Sequence, residues 1–597
     1  MDTENKETEN PYVDEEVMQL ACNASSYTYI NVPRLMFDIT KNLFDSIPSL
    51  KYKNAAYICQ QVLDVTKNEI DFFNAGRASK WKVPTTLTTE VVGYILMMCE
   101  KVALLKARNG DEPTLAVYDE VEGIWSMVRN EYAPAFCELA FSYDGNMSDR
   151  NRKLLKTQLV AFLRRNNRIY TLTVDARYEA VQNGIWDFEQ QNLIDFETAK
   201  EQGLIFTNKL STPYISNAQD VLFYDEVNQK WINIDSLISE LLQGDKDKIR
   251  ALWVAMHSMV RPHCSGFQKS IWLVDSAKTG GNGKSVVGEL IAGIIGKVDT
   301  TSLSGLNESS AGGFSLSTLP SVLAIVSSDS NTDEYVDDSE IFKKLTTHDC
   351  IRINVKNQDL IPNYRWYGQT WFTFNGFPRF KDKSEAIDRR AYIIDFNVRF
   401  TSNKNEKIKV EFITNPRLHE YVLKRLLEMD VRKYEEFDFQ KKLIADFRDN
   451  SQPVDQFLNY ICDPKNRDPE NMHWDMYPYS WLWDAFRDWY AEENNNRPTK
   501  YGRNTFIEEV RRWAGRNQFG WEATMTSSES FTVSPAMVWN YEAFTVDLQG
   551  VCSQSTNLTK WYNRLYLYSP DRYKKTDYWG KQRQIRGIRR IPTKDKN

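Results

Sequence analysis

The stretch Asp275-Ser276-Ala277-Lys278-Thr279-Gly280-Gly281-Asn282-Gly283-Lys284-Ser285 holds the residue types that bind a triphosphate. Gly280, Gly281, Asn282 and Gly283 are small enough for successive backbone N–H groups to wrap phosphate oxygens. A helix that follows turns its positive end to the same place. Lys284 would reach the outer phosphates, and the Ser285 hydroxyl would ligate Mg²⁺. The expected ligand is ATP with magnesium. One departure stands out: Lys278 occupies the first glycine of the G-x-x-x-x-G-K-[ST] pattern.

Hydrolysis also needs an acid for the metal and the attacking water. The apolar run Val322-Leu323-Ala324-Ile325-Val326 leads to Ser327-Ser328-Asp329, and Asp329 is the candidate for catalysis and metal; a plain loop aspartate would read the same. Asn375 follows the run Thr370-Trp371-Phe372-Thr373-Phe374. An amide at that strand tip could orient water, or could simply make an Asn-Gly turn. Arg389 and Arg390 precede AYIIDF, where either could be structural or could reach a neighbouring subunit's γ-phosphate.

These residues need particular elements to hold them. Ile271-Trp272-Leu273-Val274 reads as a buried strand before the loop, and VVGELIAGIIG as the amphipathic helix after it. Upstream, TTEVVGYILMMCEKVALLKA has helical spacing, and the turn cluster at Asn109–Pro113 marks a domain boundary. TLAVYDEVEGIWSM and NGIWDFEQQNLI read as hairpins, with RKLLKTQLVAFLRR between them as a helix. The helical segment SLISELLQGDKDKIRALWVAMHSMV leads to the loop strand. IRINVKNQDLIPNYRWY reads as two strands around a polar tip at Asn357-Gln358-Asp359.

The fold class expected is α/β: a P-loop motor over 251–400, preceded by a helical leader (1–110) and a mixed α/β region (111–250). A helical C-terminal module (401–550) and a basic tail (551–597) complete the organisation. Seventy-five basic against 81 acidic residues do not advertise nucleic-acid binding, but the distribution is uneven. From Asp571 onward ten Lys/Arg face three Asp, either a phosphate-seeking arm or a solvated end. The eight cysteines form no Cys-x-x-Cys pair, so neither a zinc site nor a disulfide framework is expected. No run reaches the roughly 20 apolar residues of a membrane span, and the acidic start is unlike a secretory signal, so a cytoplasmic location is expected.

Taken together, GGNGKS, then KKLTTHDCIRI, FTFNGFP and DRRAYIIDF resemble the superfamily III helicase domain of the phage, plasmid and poxvirus primase-helicase family. VYDEVEGIW, NGIWDF and FTNKLSTPY resemble the family's region before the motor. QPVDQFLNYI, WLWDAFRDWYAEENN and TFIEEVRRW are similar to its winged-helix-like C-terminal module. The resemblance covers roughly residues 114–520. It implies an AAA+-type ATPase that assembles as a hexameric ring and moves along DNA, typically 3′ to 5′. Lys284 and Ser285 would then hold triphosphate and metal, and Asp329 would stand where the family more often has Glu. Asn375 fits the sensor, and Arg389 or Arg390 the arginine finger. The hairpin around Asn357 would grip DNA in the ring's channel, with Lys356 the first candidate for phosphate contact and Arg352 and Arg365 behind it.

Many relatives carry a primase before the motor. All five histidines lie after residue 250, so the histidine that the archaeo-eukaryotic primase type uses is missing from the leader. A separate primase, initiator or polymerase is the expected partner, alongside single-stranded and forked DNA. The expected activity is that of a replicative helicase. Two alternatives are a double-stranded DNA translocase and an origin-binding initiator that uses ATP as a switch. For the initiator, TKYGRNTFIEEVRRWAGR offers a helix starting near Asn504 or Thr505. It either reads DNA with Arg503, Arg511 and Arg512, or packs Phe506, Val510 and Trp513 into a core.

Overall fold

The strand Ser270–Val274 is buried along its whole length, Trp272 included, because neighbours cover it on both faces. That is the pattern of a parallel sheet clad on both sides. In the computed structural model it belongs to a five-stranded sheet. We number its strands β1 (Ser270–Val274), β2 (Val298–Asp299), β3 (Ala324–Ser330), β4 (Gln369–Phe374) and β5 (Ala391–Asp395). Their order across the sheet is β2-β3-β4-β1-β5. β1 runs parallel to β5, with Val274 opposite Asp395, and β2 runs parallel to β3. The amino ends of β1, β3 and β4 lie together: Ser270 Oγ is 2.8 Å from Thr370 Oγ1, and Gln369 N–H donates to Leu323 O at 3.2 Å. Their carboxyl ends therefore share the opposite edge, where ligands of open α/β sheets bind.

The description covers residues 31–591 apart from several segments. The longest are 307–315, 463–475 and 533–583, and 277–279, 331–334 and 356–360 are among the shorter ones. The chain divides into two units. One runs to Ser330 and adds Glu340–Thr373 and Arg390–Phe437; the other comprises Asn331–Ser339, Phe374–Arg389 and Asp438–Asn597.

The first unit opens with helices Val32–Ser46, Ala55–Asn74 and Thr89–Met98 around a core that includes Leu35, Val62, Ile70 and Ile95. The long helix expected over TTEVVGYILMMCEKVALLKA stops at Met98, and Val102–Lys106 is a strand. Val102 and Leu104 pack into one core and Ala103 and Leu105 into another. A run apolar on both faces does not distinguish helix from strand by periodicity. The turn cluster after it is not a boundary: it joins Val102–Lys106 to the antiparallel Thr114–Asp119, with Leu105 opposite Thr114. The two expected hairpins form, the second as a three-strand meander over Tyr178–Val181, Gly184–Asp187 and Asn192–Ile194. The segment expected as one helix before the motor is two, Ile234–Leu241 and Lys246–Met259, broken where Gln243 and Gly244 take positive φ.

Two more boundaries move. Lys246–Met259 runs across residue 251. The helix Pro416–Leu427, assigned by sequence to the C-terminal module, packs against it: buried His257 meets Leu426 O at 2.7 Å and Val431 O at 2.9 Å, and Arg425 lies 3.7 Å over the Trp253 ring. The second unit therefore takes up the chain from Asp438.

That unit has its own core. Helices Pro453–Cys462, Tyr479–Glu493 and Arg503–Gly515 pack on a sheet ordered Met476–Pro478, Gly587–Arg590, Trp521–Ala523. Its central strand comes from the stretch read as a basic tail, with Ile588 fully buried. A side chain at Gly587 would put Cβ 2.0 Å from Tyr477 O, so the close approach of the strands requires glycine. The helix Arg503–Gly515 begins at Arg503 after Gly502, not at Asn504 or Thr505. Phe506, Val510 and Trp513 are buried on it, Arg511 donates to Thr524 O at 2.8 Å, and Arg503 and Arg512 are exposed.

Candidate nucleotide-binding site

β1 delivers the chain to Asp275, and the helix Lys284–Ile295 carries it away. Gly280, Gly281 and Gly283 have φ of 67°, 66° and 83°, the left-handed region that side chains resist. The turn closes on itself: Gly280 N–H donates to Asp275 Oδ2 at 2.7 Å, and Phe400 N–H donates to Gly281 O at 3.2 Å. Asn282 is buried and donates from Nδ2 to Phe396 O at 2.9 Å, anchoring the loop to the residue after β5. Gly283 is the helix N-cap and has no side chain to bond the first-turn N–H groups. An uncapped helix start behind a glycine loop presents donors and a positive dipole to an anion.

Lys284 is buried. Its Nζ donates to Asn282 Oδ1 at 2.7 Å and lies 3.9 Å from the fully buried Asp275 Oδ2. The loop's own oxygens thus hold the ammonium at the helix start. Sequence reasoning assigned Asp275 no role. The local clue was an acid placed directly between a buried strand and the glycine run.

Gly281, Gly283 and Ser285 line a cavity of about 240 Å³. Ile232, Leu237, Leu241 and Ile408 add apolar walls, and Phe400 an aromatic one. Leu241 presses on the loop so closely that a Cβ on Gly283 would lie 2.3 Å from its Cδ2. The far side is clasped by Asn405 Nδ2 donating to Asp225 Oδ1 at 2.9 Å, and by Lys407 to Glu226 at 2.7 Å. Neither the hairpin Phe223–Asp225/Lys230–Ile232 nor the segment after Phe396 carried a sequence signal for this site.

The other predicted residues are distributed as follows. Asp329 lies within β3, which extends to Ser330 rather than ending at Val326; its side chain lies outside the described residues, as does Lys278. Helix Lys284–Ile295 packs over this strand, with Ser328 Oγ 4.0 Å and Trp371 Nε1 3.6 Å from where a Cβ on Gly288 would sit. Asn375 is exposed directly after β4, and belongs with Arg389 to the second unit. Arg389 is exposed, and Arg390 is half-buried. Arg390 O accepts from Ser270 N–H at 2.6 Å, so Arg390 stands at the amino edge of the sheet, opposite the loop.

The expected two-stranded hairpin is present as Cys350–Ile353 and Ile361–Arg365; its tip and Lys356 lie outside the described residues. Arg352 is exposed, whereas Arg365 braces the hairpin's root by donating to His348 O at 3.0 Å. Arg365, expected behind Lys356 as a phosphate contact, is half-buried with its guanidinium turned to the hairpin root. Among the described residues no three His, Cys, Asp or Glu gather as a metal site, and no helix is long and apolar enough to cross a membrane.

Residues 277–390 match a family model described as a family of unknown function, DUF5906. No curated protein matches. Among solved structures, the chain is similar to the A form apo structure of the NrS-1 C terminal region, at 12% identity and a TM-score of 0.38, covering 84% of this chain and 99% of that one. A second apo structure of that region is matched at 12% identity and a TM-score of 0.38, over 83% and 98% of the two chains.

Proposed function

We propose that the chain is an ATP-driven DNA helicase of phage or mobile-element replication, built on an AAA+-type P-loop motor of the superfamily III kind. The observation that carries this reading is the uncapped helix start at Lys284, reached through three left-handed glycines beside a cavity. A triphosphate entering there would draw the Lys284 ammonium off Asn282 and Asp275 onto its outer oxygens. First-turn N–H groups would cradle the phosphates, and the nucleoside would extend toward Phe400 and Leu241. Ser285 would hold Mg²⁺, which would supply charge neutralisation at the phosphate oxygens, with Asp329 as its acidic partner.

The sheet order supports a hydrolytic role. β4 lies between the loop strand and the strand carrying Asp329. Asn375, which follows β4 in the chain, is the residue proposed to orient the attacking water. Arg390 stands at the sheet edge away from its own loop, so it or Arg389 would serve a neighbouring subunit's phosphate. That is the logic of a ring, here a hexamer, in which isolated subunits hydrolyse slowly. The exposed Arg352 on the channel hairpin would contact strand phosphates without reading bases.

The test is strand displacement on forked DNA with 3′ or 5′ single-stranded tails, comparing wild type with Lys284→Ala. Unwinding that needs a 3′ tail and is lost in the variant is the expected result. ATP hydrolysis without displacement on either fork would replace this reading with a double-stranded DNA translocase. ATP and DNA binding with neither activity would replace it with an initiator, whose DNA contacts would include Arg503 and Arg512.

A further inference from the structure

A second cavity lies in the N-terminal sheet of the first unit, unconnected with the phosphate loop. It has a volume of about 120 Å³ and is lined by Met97, Val102, Trp125, Arg168, Tyr170, Lys200 and the chain at Gly203–Ile205. Its rim combines cations with rings. Lys200 Nζ sits 4.6 Å from the Tyr118 ring centroid, Tyr118 packs against Trp125 at 5.1 Å, and Arg168 donates to Tyr170 OH at 3.3 Å. Tyr170 is 37% exposed on Ile169–Thr171, the edge strand of its sheet.

Lys101 has Glu120 as its partner, but Lys200 has no ion-pair partner among the described residues. The Lys101 ammonium is held below the usual lysine range, first by burial and next by the charge of Lys200. Glu120 already pairs Lys101, so the cation left to the cavity is Lys200, set over the Tyr118 ring. A lysine in the last turn of the helix Phe196–Glu201 is favoured by the helix dipole. That preference does not account for the ring-lined space beside it.

We propose that this pocket takes one unstacked nucleotide, its base against Trp125 and Tyr170 and its phosphate on Lys200 and Arg168. A ring-lined cavity of about 120 Å³ has room for a flat heterocycle. The sugar and phosphate would lie at the rim, where the cations are. Stacking plus charge binds any base, which suits a guide for single-stranded nucleic acid, and the same chemistry would admit a free mononucleotide. This inference does not depend on the phosphate-loop reading.

The experiment uses the full chain without ATP. A fluorescent 20-mer of thymidines, one replaced by 4-thiothymidine, is titrated and photo-crosslinked, and thymidine monophosphate is added in a parallel arm. Lys200→Glu and Tyr170→Ala are the variants, with their melting checked against wild type. The expected result is a crosslink within residues 97–205 and about tenfold weaker oligonucleotide binding in each variant. Displacement by the monophosphate would identify the free nucleotide as the source; resistance to it would identify the strand. Unchanged binding of both ligands in both variants, or crosslinks only outside 97–205, would overturn the proposal.

Discussion

Gly280–Ser285 and Gly587–Arg590 are both short glycine-containing stretches with basic residues, yet one was read from sequence and the other misread. The first demands its conformation locally: three glycines at positive φ, a lysine and a helix start, all within six residues. The second is a strand only because Met476–Pro478 and Trp521–Ala523 flank it, the nearer in sequence more than 60 residues away. Its single core residue, Ile588, is hidden among Arg586, Arg589 and Arg590. Backbone demands are written where they act, whereas sheet membership is written in the partners.

The largest effect should come from deleting Gln584–Asn597. If these residues were a solvated arm, nothing but DNA affinity would change. As the central strand of the second unit they carry Ile588, worth roughly 1.5–3 kcal/mol by burial alone, and pairing on both sides. The expected outcome is rapid proteolysis within Asp438–Arg583 under native conditions, with ATP binding by the first unit retained. Limited proteolysis with mass mapping, alongside titration of a fluorescent ATP analogue, reads both.

Next in size is a pair within the loop. Gly283→Ala meets two penalties: a left-handed φ of 83°, costing ~1–2 kcal/mol, and a Cβ 2.3 Å from Leu241 Cδ2. Gly280→Ala meets only the first, since nothing lies within 4 Å of its Cβ. Nucleotide affinity should therefore fall more than tenfold for Gly283→Ala and by less for Gly280→Ala. Equal losses would mean that Leu241 moves freely and does not fix the loop.

Much of the candidate site's backbone was legible because the glycine loop and its flanking elements form a short local motif. Gly280 to Ser285, the flanking strand and helix, and the hairpin at 350–365 were readable from spacing and hydrophobic runs. What escaped notice came from afar. Phe396 holds Asn282, Phe400 holds Gly281, and Leu241 roofs Gly283, and none of these three has a residue type that announces its role. The misplaced boundaries share that cause. His257 and Leu426 belong to one core although 169 positions part them, and no composition shift marks their union.

A third prediction contrasts a buried acid with the buried acid of the loop. Asp275 is engaged by Gly280 N–H and Lys284, whereas Glu179 Oε2 is buried with no hydrogen-bond partner and its carboxyl faces a cavity of about 80 Å³. Burial pushes Glu179 up to about 8. The native state then holds a proton that the unfolded chain releases near pH 4.5, so stability falls as pH rises from about 4.5 to about 8. Glu179→Gln mimics the protonated acid and removes that slope. The melting gap between variant and wild type should widen across this window and level off above it. His263 in the same cavity, pushed down to about 4 by burial, contributes equally to both proteins and cancels from the comparison. A gap that stays constant with pH would mean that Glu179 is ionised in the folded protein.

The smallest effect separates the two arginines of the hairpin. Arg352 is exposed on Cys350–Ile353, while Arg365 on the partner strand spends its guanidinium on His348 O. His348 needs that support, since it holds a positive φ of 54° that a non-glycine residue adopts at a cost. Arg352→Ala should weaken single-stranded DNA binding a few-fold and lower the salt slope by about 0.7, the signature of one lost phosphate contact, with no change in melting. Arg365→Ala should do the reverse, lowering the melting temperature while leaving the salt slope alone. Were Arg365→Ala instead to reduce the slope at unchanged stability, the guanidinium would be reaching a phosphate rather than bracing the root. Both strands of the hairpin would then face DNA, and the inward placement of Arg365 would describe only the chain at rest.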